Sequence, residues 1–102
     1  MKLKFDPDEL GRFCREHGIA RLELFGSALR EDFNEHSDVD LLASIRPDVK
    51  CGLFEWVDWQ EGLSRIFSRP VDLISRRAVE RSRNPYRKHS ILAHTEPLYV
   101  AG

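Results

Sequence analysis

Three aspartates and a glycine-serine pair are the residues of this chain whose types and spacing could do chemistry. Gly26-Ser27 is followed, after ten residues, by Asp38-Val39-Asp40, and Asp72 stands inside the apolar run Val71-Asp72-Leu73-Ile74. Residues two apart on a strand project from the same face, so the carboxylates of Asp38 and Asp40 can share hard divalent cations. Crowding acids in a partly desolvated cleft is costly, and bound Mg²⁺ is the usual physical reason for tolerating it. Asp72 is the one charge in an otherwise buried-looking strand, which makes it the third candidate ligand. Gly26 lets backbone approach a ligand closely, and a helix starting after it offers unpaired N–H groups and the positive end of its dipole to triphosphate oxygens. Ser27 adds a hydroxyl, and Arg30, one turn further on, can reach a phosphate.

Each feature has a plainer reading. A lone D-x-D is as often a solvated strand end, glycine-serine is a common turn, and Arg30 reads equally as an exposed helix charge. Four fixed positions arise together by chance in a chain this short roughly once in a thousand. Their placement at the end of one predicted strand and the start of another weighs further toward a functional site.

The elements that must position these residues are legible from local signals. Asp6 as N-cap, Pro7 at the first helical position and Glu9 three residues after the cap predict a helix, with Phe5 and Leu10 as a hydrophobic staple and Gly18 as its stop. Residues 19–25 alternate, with Ala20, Leu22 and Leu24 on one face and Arg21, Glu23 and Phe25 on the other, the pattern of a half-buried strand running into Gly26. Residues 28–33 can form one or two helical turns, and 34–37 a polar connection. A strand over 38–45 sends Val39, Leu41, Ala43 and Ile45 to one face and both aspartates to the other. Residues 53–67 read as a helix with an apolar stripe of Phe54, Trp56, Val57, Leu63, Ile66 and Phe67. Pro70 opens a strand over 71–74, Asn84-Pro85 caps a last helix reaching about residue 94, and 95–100 adds an edge strand.

Composition narrows the function classes. The 102 residues fit one domain, 1–102, with one modest core and little room for a module that grips a large acceptor. A formal net charge of −1 gives no general case for nucleic acid as a direct substrate or for a membrane surface. Cys14 and Cys51 match neither a C-x-x-C pair nor a zinc-ligand spacing and read as reduced thiols of a cytoplasmic protein. No apolar run approaches a membrane span. Arg76, Arg77, Arg81, Arg83, Arg87 and Lys88 read as a solvated helix face, Trp56 and Trp59 as packing, and none of His17, His36, His89 or His94 falls in a metal-binding pattern.

Taken together, Gly26-Ser27-Ala28-Leu29-Arg30, Asp38-Val39-Asp40-Leu41-Leu42 and Val71-Asp72-Leu73-Ile74 resemble the minimal nucleotidyltransferase (MNT) branch of the DNA polymerase beta-like superfamily, over nearly the whole chain. Family members often carry a basic residue after the serine and a glycine after the arginine, where this chain has Ala28 and Glu31. The resemblance implies an α+β fold, a small mixed β-sheet with helices packed mainly on one face. It implies transfer of a nucleoside monophosphate, AMP from ATP or the like from another triphosphate, with two Mg²⁺ or Mn²⁺ ions held by Asp38, Asp40 and Asp72 and with Asp72 able to take the acceptor proton. Small members of this branch are commonly paired with a helical HEPN-type toxin, so the resemblance implies an antitoxin that modifies a tyrosine of that partner within a hetero-oligomer. Two alternatives stand beside it: a module that neutralises its partner by contact alone, and a transferase acting on a small molecule such as an aminoglycoside.

Overall fold

A computed structural model describes residues 3–26 and 37–101. The elements run α1 (Pro7–His17), β1 (Ile19–Phe25), β2 (Val39–Ile45), α2 (Leu53–Phe67), β3 (Val71–Ser75), α3 (Arg76–Glu80), α4 (Pro85–Leu92) and β4 (Glu96–Val100). The helix and polar connection anticipated over 28–36 lie outside the described residues.

Local chemistry explains the boundaries of α1. The Asp6 carboxylate accepts from the Asp8 N–H at 2.9 Å, Pro7 takes the position where a missing N–H costs nothing, and Gly18 closes the helix at φ 73°. In α4 the Asn84 side chain accepts from the N–H groups of Tyr86 and Arg87 before Pro85 opens the helix. This helix ends at Leu92, two residues short of the predicted span. The short α3 has no counterpart in the sequence reading. Its cap is Ser75, whose hydroxyl accepts from Ala78 N.

The strands form one mixed sheet in the order β3-β2-β1-β4, with β1 antiparallel to both β2 and β4 and with β2 parallel to β3. Proline at position 97 falls on the edge strand β4, where a missing N–H is tolerated. The larger core lies between one sheet face and the two longest helices. Leu10 and Cys14 of α1 and Trp59, Leu63 and Phe67 of α2 pack there with Leu22, Leu24, Val39, Leu41, Val71 and Leu73. A smaller cluster on the opposite face joins Phe25 and Leu42 to Val79 of α3 and Ile91 of α4.

Two expectations change on folding. The second face of β1 is not solvated: Phe25 is buried, and Glu23 is 0% exposed under the Arg21 and Arg76 guanidiniums. An irregularity between Ile19 and Arg21 also resets the alternation, so that Ile19 rather than Ala20 joins Leu22 in the main core. In α2 the buried line runs through Trp59, Leu63 and Phe67, while Phe54 is 85% exposed and Leu53 and Val57 are exposed beside it. Of that stripe Phe54 and Val57 stay exposed, while Trp56, Leu63, Ile66 and Phe67 join or pack against the core.

The tryptophans are structural. Trp59 is buried, and Trp56 Nε1 donates to the Leu73 carbonyl at 3.1 Å, while Gln60 Oε1 accepts from Leu73 N at 2.9 Å. Both free backbone groups of Leu73, on the outer edge of the edge strand β3, are therefore satisfied by α2, which covers an edge that would otherwise invite foreign pairing.

Candidate functional site

Parity on β2 and β3 separates core from chemistry. Val39, Leu41, Val71 and Leu73 point into the main core, which obliges Asp40 and Asp72 to stand on the other face. The parallel register makes Asp40 and Asp72 direct cross-strand partners, one step from the pair Val39 and Val71. Adjacent strands lie about 4.8 Å apart, so the two carboxylates rise from neighbouring backbone positions. Asp38 precedes β2 by one residue and is exposed, Asp72 is exposed and Asp40 is half-buried. The entrances of both strands are joined by Val39 N donating to the Pro70 carbonyl at 2.9 Å.

Gly26 meets this group from the end of β1, where Phe25 pairs with Asp40. Its φ is 68°, a conformation that favours glycine, and a Cβ placed there would lie 2.5 Å from Asp40 Oδ2. The absent side chain therefore does two things: it permits the turn, and it leaves room for the Asp40 carboxylate. Ser27 and Arg30 lie outside the described residues.

The donor set suits a divalent cation that shares its ligands with a substrate. Among the described residues no group of three or more histidine, cysteine, aspartate or glutamate side chains is gathered so as to hold a metal ion. Mg²⁺ is ordinarily bound by one or two carboxylates together with substrate phosphates and water rather than by an all-protein cage. Asp40 and Asp72 on paired positions, Asp38 beside them and the space left by Gly26 meet that requirement.

A cavity lies further along the same strands. Its volume is about 630 Å³, and it is lined by Ile45, Cys51, Leu53, Trp56, Leu73 and Ile74 among others, toward the C-terminal ends of β2 and β3. It contains no carboxylate. Chemistry, rather than volume, is the ground for taking the aspartate end as the candidate site.

Sequence reasoning missed Glu23. Its Oε1 accepts from Arg76 Nη1 at 2.6 Å and from Arg21 Nε at 2.8 Å, while Oε2 is buried without a hydrogen-bond partner. Arg76 also binds Glu80 at 3.0 Å. Burial pulls the Arg76 pKa down, but its bonds to Glu80 and Glu23 outweigh this and raise it. The only local signal was a single acid in an alternating strand, which reads identically to a solvated one.

Comparison with known proteins agrees with the fold. Residues 9–98 match the model of the family described as "Nucleotidyltransferase domain". A protein of Methanocaldococcus jannaschii named "Putative protein adenylyltransferase MJ1379" is 30% identical over 76 residues, which cover 74% of this chain and 73% of the relative. The fold is similar to that of a solved "putative minimal nucleotidyltransferase", with a TM-score of 0.66 and 25% identity over 89% of this chain and 87% of the other. It is also similar to a chain in the structure of a tri-AMPylated Shewanella oneidensis HEPN toxin in complex with MNT antitoxin. There the TM-score is 0.60, with 15% identity over 93% of this chain and 70% of that one.

Proposed function

The chain belongs to the nucleotidyltransferase domain family, and from that premise we propose that it transfers AMP from ATP to a tyrosine hydroxyl of a HEPN-type partner and thereby silences it as an antitoxin. The observation that carries this reading is the register of Asp40 with Asp72 beside a glycine whose missing side chain leaves room for the Asp40 carboxylate. The adenylyltransferase relative and the likeness to a chain from an AMPylated toxin–antitoxin complex support the choice of nucleotide and of partner.

In this reading Asp38, Asp40 and Asp72 hold Mg²⁺ or Mn²⁺, two ions in all, which when bound supply charge neutralisation and a lowered pKa for the attacking hydroxyl. Gly26 brings backbone close to the triphosphate, and Ser27 and Arg30 bind its oxygens. The acceptor oxygen attacks the α-phosphorus in line, the bond from that phosphorus to the bridging oxygen breaks, and pyrophosphate leaves. Asp72, at the exposed edge of the group, takes the hydroxyl proton directly or through a water. The remaining contribution is positioning, which by itself can remove a large part of a barrier. The acceptor is presented by the partner, and the site is a cytoplasmic one, in keeping with two free thiols.

The test is co-expression with a HEPN-type partner, with and without Asp38→Ala plus Asp40→Ala in this chain, followed by intact-mass measurement of the partner. The partner gains one or more AMP increments only with the intact carboxylates. An unmodified partner in both cultures overturns the proposal, and protection by the double variant assigns silencing to contact alone.

A further inference from the structure

The carboxylates sit on the entrances of two strands that the chain reaches by separate routes, and their mutual repulsion pushes those entrances apart. A side chain just past the end of α2 opposes it. α2 ends in a Schellman turn: Ser68 N donates to the Arg65 carbonyl at 3.3 Å, Arg69 N donates to the Ser64 carbonyl at 3.2 Å, and Ser68 takes the left-handed conformation at φ 55°. Among the described residues Ser68 is the one non-glycine residue with positive φ. The Ser64 hydroxyl then donates to the Arg69 carbonyl at 2.7 Å, so the Arg69 backbone is held at both its N–H and its carbonyl. From this fixed turn the guanidinium reaches Ser37, the residue before Asp38, and Nη1 donates to its carbonyl at 3.4 Å.

We propose that Arg69 is a positioning residue that clasps the entrance of β2 to the entrance of β3 and so holds Asp38 and Asp40 at the spacing from Asp72 that cation binding requires. The inference rests on the reading that these aspartates bind a divalent cation. Arg69 lies two residues before Val71, and its neighbour Pro70 accepts from Val39 N, so the side-chain bond and the first rung of the β2–β3 ladder close a ring through residues 37–39 and 69–70, which includes Asp38 and directly precedes Asp40 and Asp72. A guanidinium suits this place because it stays charged at any working pH and presents several donors in a rigid fork. The Nη1 bond is long for its type and contributes little to stability. Its effect is on where the aspartates stand.

The experiment is a Mn²⁺ titration followed by electron paramagnetic resonance, in the presence of a non-hydrolysable ATP analogue. It compares the natural chain with Arg69→Ala, Arg69→Lys and Asp40→Asn, each with its thermal midpoint. Arg69→Ala is expected to weaken Mn²⁺ about tenfold or more, the usual effect of removing a group that orients metal ligands. The midpoint should stay near that of the natural chain, Arg69→Lys should recover part of the loss, and free guanidinium should recover part of the loss in the alanine variant. Asp40→Asn reports on the metal reading itself. If Asp40→Asn loses Mn²⁺ and Arg69→Ala binds it normally, the clasp is overturned and the transferase reading stands. If the natural chain shows no specific Mn²⁺ binding, or Asp40→Asn binds it as the natural chain does, both fall. If Arg69→Ala lowers the midpoint in proportion to its loss of affinity, Arg69 is structural and the positioning role is overturned.

Discussion

Asp40 and Asp72 are cross-strand partners on parallel strands, although 31 residues separate them in the chain. Like charges placed directly opposite one another on a sheet are destabilising by up to about 1 kcal/mol. Asp40→Asn and Asp72→Asn should therefore leave the metal-free fold as stable as the natural chain, or more stable by a fraction of 1 kcal/mol. Transfer should fall on the order of a hundredfold or more. Urea denaturation without divalent cation, set against labelled-nucleotide transfer, checks both halves. A variant that loses stability and activity together would show the pair to be structural.

Gly26 carries two constraints at one position. Gly26→Ala should cost about 1–2 kcal/mol for the left-handed backbone alone, and its Cβ displaces the Asp40 carboxylate as well. The chain should remain folded by circular dichroism while its melting temperature no longer rises on adding Mn²⁺ with an ATP analogue. A normal ligand-induced shift in the alanine variant contradicts the placement of Asp40.

The buried Glu23 makes the order of two substitutions predictable. Arg76→Ala leaves a carboxylate of 0% exposure with Arg21 as its remaining partner and should cost about 3 kcal/mol. Glu23→Gln removes the buried charge itself and should cost less, even though it breaks the same bridge. Urea midpoints for the two variants decide it, and the reverse order would mean that Glu23 is not held as a desolvated anion.

Cys14 provides a pH dependence. Burial pushes its thiol from the ordinary 9.0 up to about 12, with Arg15 pulling slightly the other way. The folded chain thus keeps a proton that the unfolded chain releases above pH 9, so this stability is whole below pH 9 and is lost as pH rises toward 12. Denaturation midpoints at about pH 8 and about pH 10.5 should fall further in the natural chain than in Cys14→Ala. Cys51, raised by burial and by Glu55 but partly exposed, should be labelled by a thiol reagent in the folded chain, and Cys14 only on unfolding.

Much of this was legible in the linear order of residues because it depends on neighbours a few positions apart. Asp6, Pro7 and Gly18 delimit α1, alternation marks β2, and the apolar flanks of Asp72 single it out, since caps, turns and side-chain parity are properties of short segments. Glu23 was misread because alternation reports which residues share a face and says nothing of what later covers that face. Here α3, an element too short to show a period, brings Arg76 over it. Phe54 and Val57 were misread because an apolar stripe can outrun the sheet it packs on. The sequence by itself therefore determined which carboxylates are candidates and which face of its own strand each occupies. Tertiary structure alone decided that β3 pairs parallel to β2 in the register that seats Asp72 beside Asp40, and that Arg69 returns to Ser37. Strand register is set by hydrophobic faces meeting across space, where a one-residue slip would turn every side chain over, and no local signal along the chain encodes it.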